Sequence, residues 1–358
     1  MAKRISVVLS QGQSQNPVKR ALEEEIVTAL LLHHGVDVTV IPHLYDLRPD
    51  STGMLALQGV AGDMIVVTWL YERAARWVLD RSGIMGQVGT ATLKADPEDE
   101  EEVAIADDDK TRVAELREIP ARRIYCLELQ ASSHAQDFVD EILRIAREAT
   151  TPMIQLGDWL GGSPQPKALA RFDSPTNDTA LGPSNSTPEQ HAAISSEAGP
   201  DQASLRRIDD QAARRWYPVI DFSRCTNCME CIDFCLFGVY GVDVADTILV
   251  EQPDNCRKGC PACSRVCPEN AIIFPQHKSP AIAGAPGAGA SLKIDLSRLF
   301  GAPDAVEIAA RERDEQLELA GRDKVGLSVG IPKRQATPRD ESPDELDNLI
   351  DQLDGLDL

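Results

Sequence analysis

Of the nine cysteines in this chain, eight fall between positions 225 and 267, and no other feature limits its fold so strongly. They form two groups. The first is Cys225, Cys228, Cys231 and Cys235 in "CTNCMECIDFC", with C-x2-C-x2-C-x3-C spacing. The second is Cys256, Cys260, Cys263 and Cys267 in "CRKGCPACSRVC", with C-x3-C-x2-C-x3-C spacing and Pro268 directly after it. Thiols two residues apart in a tight loop point at one centre, whereas one three residues further along a helix points away from it. The opening "MAKRISVVLS" has two basic residues and a short apolar run. It therefore reads as a first strand and not as a signal peptide. The expected compartment is the reducing cytoplasm, where clustered thiols favour metal over disulfides.

Two metal chemistries use four thiolates. Zinc ribbons pair two C-x2-C knuckles across a gap, but here each group holds four cysteines, which favours iron–sulfur ligation. Residues 215–276 resemble the bacterial dicluster ferredoxin domain, a small α+β fold that holds two 4Fe–4S clusters. The flanks agree, with "YPVIDFSRC" leading into the first group and "NAIIFP" following the second. The resemblance implies that Cys225, Cys228, Cys231 and Cys267 hold one cluster and that Cys235, Cys256, Cys260 and Cys263 hold the other. Every iron then has a cysteine, and the implied role is relay of single electrons between redox partner proteins. Two departures stand out. Leu236 replaces the usual proline after the fourth cysteine, and "CRKGC" has one extra residue. Gly259 can adopt backbone angles closed to other residues, so the longer loop can bulge there. The ninth cysteine, Cys126, lies on an apolar strand and reads as a buried structural thiol.

Residues 1–157 read as an α/β domain. Strands are expected at 4–10, 36–42, 63–70, 122–130 and 151–156, and helices at 17–35, from about 71 to 81, and at 135–149. Asn16 suits an N-cap and Pro17 a first helical position. Strands alternating with helices predict a doubly wound parallel sheet. Such sheets bind ligands beyond the carboxyl ends of their strands. There the chain resembles flavodoxins: Ser10, Gly12, Ser14 and Asn16 match their phosphate loop, and Trp69 a stacking aromatic. That resemblance implies FMN and a second function, an FMN-dependent oxidoreductase fed by the clusters. The match departs from the family in glycine and hydroxyl spacing and in lacking a glycine before the Thr68-Trp69 pair. No P-loop and no G-x-G-x-x-G occurs. A third function is a scaffold or regulator whose clusters only staple a small domain.

The rest reads as connection. Residues 158–213 are rich in small and polar residues and predict a flexible linker ahead of a cluster domain at 214–277. The acidic insertion at 95–110 predicts a solvated loop. Residues 278–358 predict a linker, a helix at 302–321 and an acidic tail. In that tail, "SPDELDNLIDQLDGLDL" carries an amphipathic stripe that either folds back on the chain or docks in a partner's groove. The net charge of −21 argues against nucleic acid, which needs basic patches, and fits a basic protein partner. No segment approaches the ~20 apolar residues of a membrane span.

Overall fold

The computed structural model describes residues 4–94, 110–150, 204–210, 213–286 and 304–328. Six strands form one parallel sheet: β1 (Ile5–Ser10), β2 (Val36–Ile41), β3 (Met64–Thr68), β4 (Gln87–Val88), β5 (Arg123–Glu128) and β6 (Ser204–Arg207). Their order is β4-β5-β3-β1-β2-β6. Every position of β3 is buried, as is all of β1 but Ser6, because helices cover both faces. Helices α1 (Pro17–Leu30) and α4 (Ala135–Thr150) pack on one face around Ile26, Val67 and Phe138. Helices α2 (Thr52–Gln58) and α3 (Glu72–Arg81) pack on the other around Val8, Met54 and Val78. At the start of α1, the Asn16 side chain accepts the Val18 N–H at 2.9 Å, and Pro17 opens the helix, as the local sequence predicts. The chain runs from β1 outward to β2, then crosses back to β3 on the other side of β1, which makes a topological switch point.

Two strands are absent from the periodicity reading. β4 is only two residues long and both are exposed, so it has no hydropathy signal. Glycines seat it: a Cβ on Gly89 would lie 2.3 Å from the Tyr125 ring, and one on Gly86 would lie 2.7 Å from the Arg122 carbonyl. β6 lies in the stretch expected as linker, and its order corrects that expectation. All four of its residues are exposed, so no apolar alternation announces it. Backbone pairing with β2 holds it, together with Ser204 Oγ donating to Asp37 (2.7 Å) and Arg207 donating to Glu24 (2.8 Å). The expected strand at 151–156, the acidic insertion at 95–109 and the acidic tail lie outside the described residues.

The cysteine-rich module has two small antiparallel pairs. β7 (Val219–Ile220) pairs with β10 (Ile272–Ile273), and β8 (Tyr240–Val242) with β9 (Ile248–Val250). Its helices are α5 (Glu230–Phe234), α6 (Ala262–Val266), α7 (Pro280–Ala283) and α8 (Ala305–Leu319). α7 falls inside the second expected linker and corrects it: Ile282, Ala283 and Ala285 are buried. Gly284, at φ 105°, lets the chain turn against Ala74 of α3, where a Cβ would come within 3.1 Å. α8 opens with a capping box of Asp304 and Glu307, and it joins α6 through the Arg265–Glu312 ion pair (2.9 Å).

The module docks on the α2/α3 side of the sheet. Tyr45 and Tyr217 stack at 4.2 Å, and the Tyr217 hydroxyl donates to the Tyr45 carbonyl at 2.9 Å. Asp46 accepts from the Arg215 N–H and from the Gln276 amide, each at 3.0 Å. Arg73 of α3 donates to Asp221 and to the Asn270 carbonyl. Among the described residues, no helix is long and apolar enough to cross a membrane.

One buried carboxylate makes the sheet domain pH-dependent. Burial pushes Glu141 up, but bonds from Arg144 and from the side chain and N–H of Thr92 outweigh it and hold the group down at about 2. A depressed carboxylate stabilises the fold above its ordinary range near 4.5, and that gain is lost as pH falls toward 2. Glu141→Gln is therefore expected to be less stable at neutral pH and flatter in its acid dependence. Denaturant melts at pH 7 and pH 3 check this; equal slopes for both proteins would refute it.

Candidate metal centre

The strand pairings dictate which thiols meet. Ile220 of β7 faces Ile272 of β10 in an antiparallel register. Cys225 lies five residues after Ile220 and Cys267 five before Ile272, so both leave the same end of that ladder. In the β8–β9 hairpin, Tyr240 faces Val250. Cys235 lies five residues before Tyr240 and Cys256 six after Val250, so these two also exit together. The odd residue is taken up by a 3-10 turn at Pro253–Asn255.

The result is two separate cavities. Cys225, Cys228, Cys231 and Cys267 line one, with Ile220, Ile248 and Ile272 in its walls. Cys235, Cys256, Cys260 and Cys263 line another, walled by Phe234, Phe237, Val239 and Tyr240. Within each group the thiols act on one another electrostatically: Cys231 feels Cys267, Cys225 and Cys228, while Cys263 feels Cys235, Cys256 and Cys260.

Local backbone geometry turns the thiols inward. Asn227 and Met229 adopt left-handed angles (φ 58° and 63°), which cost roughly 1–2 kcal/mol each in L-residues. The Asn227 side chain braces this loop by accepting the Ile248 N–H (2.9 Å) and donating to the Asp246 carbonyl (2.8 Å). Gly259 in "CRKGC" sits at φ 87° with open space around it. Glycine is therefore required there for its angles and not for want of room.

Without a bound cation, burial favours the protonated form of these thiols. Burial pushes Cys225 and Cys260 up to about 11, with neighbouring cysteines adding to the effect. Burial also drives Cys231 and Cys263 well above their ordinary value. Thiols must lose their protons to ligate metal, so a cationic centre has to compensate them. N–H donors already point at the sulfurs: Ala271 to Cys267 (3.2 Å) and Asn227 to Cys225 (3.4 Å). The Tyr240 hydroxyl donates to Cys263 Sγ at 3.1 Å. Among the described residues, no three His, Cys, Asp or Glu converge closely enough for one metal ion. Four soft donors around one cavity fit a thiolate-ligated metal centre. Cys126 stands apart on β5, buried and pushed up to about 12 by that burial, as befits a structural thiol.

The β1 loop has a different character. Gly12 and Trp69 do come together, but around the chain's own carboxylate. The Gly12 N–H (2.8 Å) and the Trp69 indole N–H (2.7 Å) both donate to Oε1 of buried Glu23. Arg20 pairs with the other Glu23 oxygen at 2.9 Å, and Lys19 lies 4.1 Å over the Trp69 ring. The Ser10 hydroxyl is buried and accepts the Leu44 N–H (2.9 Å); Ser14 accepts the Asn16 N–H (3.1 Å), and Asn16 caps α1. The Gly12 N–H expected to face an FMN phosphate is thus already engaged by a buried carboxyl group, and the Ser10, Ser14 and Asn16 side chains accept from the chain's own amides. These residues do not fit an FMN phosphate. Glu23 sits in "ALEEEIV", where a carboxylate reads as solvent-facing, so the sequence alone hides the conflict. Arg313 and Glu269 also line the cavities without any motif that marks them.

No family model matches the chain, and no solved structure matches it. Over 66 residues it is 50% identical to an uncharacterized ferredoxin of Methanocaldococcus jannaschii. The match covers 18% of this chain and 44% of that protein, so less than half the relative's length is spanned. The chain contains a ferredoxin-like region.

Proposed function

We propose that this protein is an iron–sulfur electron carrier with two 4Fe–4S clusters. Cys225, Cys228, Cys231 and Cys267 ligate one, and Cys235, Cys256, Cys260 and Cys263 the other. The observation that carries the reading is the exchange of fourth thiols: each cavity takes three cysteines from one motif and one from the other, the pattern of two-cluster ferredoxins. When bound, such clusters accept and release single electrons. The residues around them hold the thiolates, exclude water with Ile220, Ile248, Phe234 and Phe237, and donate hydrogen bonds to sulfur. Likeness to a ferredoxin supports the same role.

The α/β domain serves as a flavodoxin-like scaffold, a reading supported by the parallel order β2-β1-β3 with its switch point between β1 and β3, although β5 and β4 stand in the reverse of the flavodoxin order and β6 is added outside β2. Its loop filled by Glu23 favours a carrier over an FMN enzyme. Redox partners are proteins with basic docking faces, matching the net charge of −21.

Anaerobic purification with iron and sulfide analysis, then EPR after dithionite reduction, tests the proposal. About eight irons and eight sulfides per chain are expected, with reversible reduction. Zinc without sulfide, or centres that do not cycle, would overturn it. Flavin absorbance in the purified protein would restore the FMN reading.

A further inference from the structure

The two cavities differ in the charged side chains that line them. Among the residues lining the first, the charged side chain is Glu269, which is paired with Arg112 (2.9 Å) and Lys110 (3.0 Å). The second is lined by Arg257 and Arg313 and by no carboxylate. Arg313 comes from α8, outside the cysteine motifs, and is only 1% exposed. Its guanidinium lies 4.5 Å over the Phe234 ring and donates to the Gly326 carbonyl at 2.6 Å. Asp314 is its carboxylate neighbour, 3.5 Å away, but does not line the cavity. Cys235 and Cys260 are close enough for their charge to act on the guanidinium, and the one carboxylate that acts on Cys260, Glu312, is itself paired with Arg265 at 2.9 Å.

Reduction adds one negative charge to a centre. A buried cation beside it favours the reduced state, and a carboxylate opposes it, most strongly where water is excluded. Arginine keeps its charge throughout, so no proton need accompany the electron.

We propose that Arg313 sets the centre held by Cys235, Cys256, Cys260 and Cys263 at a higher reduction potential than its partner, so that a chain carrying one electron holds it there. This rests on the two-cluster reading above. It also gives the segment 304–328 a task, since Arg322 there donates to the carbonyl of Leu236 (2.9 Å), which stands where dicluster ferredoxins carry proline.

The test is an EPR-monitored redox titration of the full chain, purified anaerobically, with dithionite as reductant. Iron and sulfide are counted first; a wild-type protein without them defeats the two-cluster reading itself, before Arg313 is tested. In Arg313→Gln with full iron, the upper midpoint is expected to fall while the lower stays. The expected change is about tenfold in the reduced-to-oxidised ratio at fixed potential, or about 59 mV for one electron. Asp314→Asn, which removes the carboxylate paired with Arg313, should raise the same midpoint, and it decides the matter if Arg313→Gln assembles no second centre. Overturning results are a single shared step in the wild type, unmoved midpoints in fully loaded Arg313→Gln, or a shift of its lower midpoint. An Asp314→Asn midpoint that stays or falls would do the same.

Discussion

Cys267→Ala is expected to remove the centre of Cys225, Cys228 and Cys231 and to spare that of Cys256, Cys260 and Cys263, although Cys267 belongs to the second motif. Iron and sulfide should fall from about eight to about four per chain. Cys235→Ala should do the reverse. The reason is geometric. The Ile220–Ile272 register sends Cys225 and Cys267 off one end of a ladder, and the Tyr240–Val250 register sends Cys235 and Cys256 off another. Titrating both variants tells them apart. Cys267→Ala should retain the centre beside Arg313 and hence the higher midpoint, and Cys235→Ala the lower. Should Cys267→Ala instead keep the first motif's centre and lose the second's, the ligand exchange is wrong.

Asp221→Ala is expected to destabilise the whole protein by about 3–5 kcal/mol, the usual cost of leaving half of a buried ion pair. Asp221 is 1% exposed and accepts from Arg73 of α3, from the Ser223 N–H (2.9 Å) and from the Ser223 hydroxyl. Its own N–H donates to the Ala271 carbonyl (2.8 Å), beside β10. One carboxylate therefore ties the sheet domain to the cysteine module where Cys225 and Cys267 leave the ladder. Trp77 packs edge-on against Phe222 at 5.7 Å and reports on the same junction by fluorescence. Urea melts followed by Trp fluorescence and by far-UV circular dichroism should shift together. A loss below about 1 kcal/mol, or two separated transitions, would show that the junction does not couple the two parts.

What was legible in the sequence follows from which signals are local. Strands β1, β2, β3 and β5 and helices α1, α3 and α4 announce themselves because apolar spacing and caps depend only on near neighbours. β4 and β6 do not, since exposed edge strands are held by backbone pairing and ion pairs, which leave no apolar pattern. The phosphate-like loop misled for a related reason. Gly12 and Trp69 are present, but the group they meet is Glu23, which reaches them only once α1 packs on the sheet, while Ser10 is taken up by Leu44.

By itself, the sequence determined that two groups of four thiols must be held close together in short loops, because ligand spacing is a covalent property of the chain. It also determined the alternation that makes a parallel sheet. Only the tertiary structure decided what surrounds those thiols: antiparallel pairing sorts them into two cavities, and α8 brings Arg313 to one while the turn between Cys267 and β10 brings Glu269, with its partner Arg112, to the other. Charge beside a buried centre acts through space, so the side chains that tune it can come from anywhere along the chain.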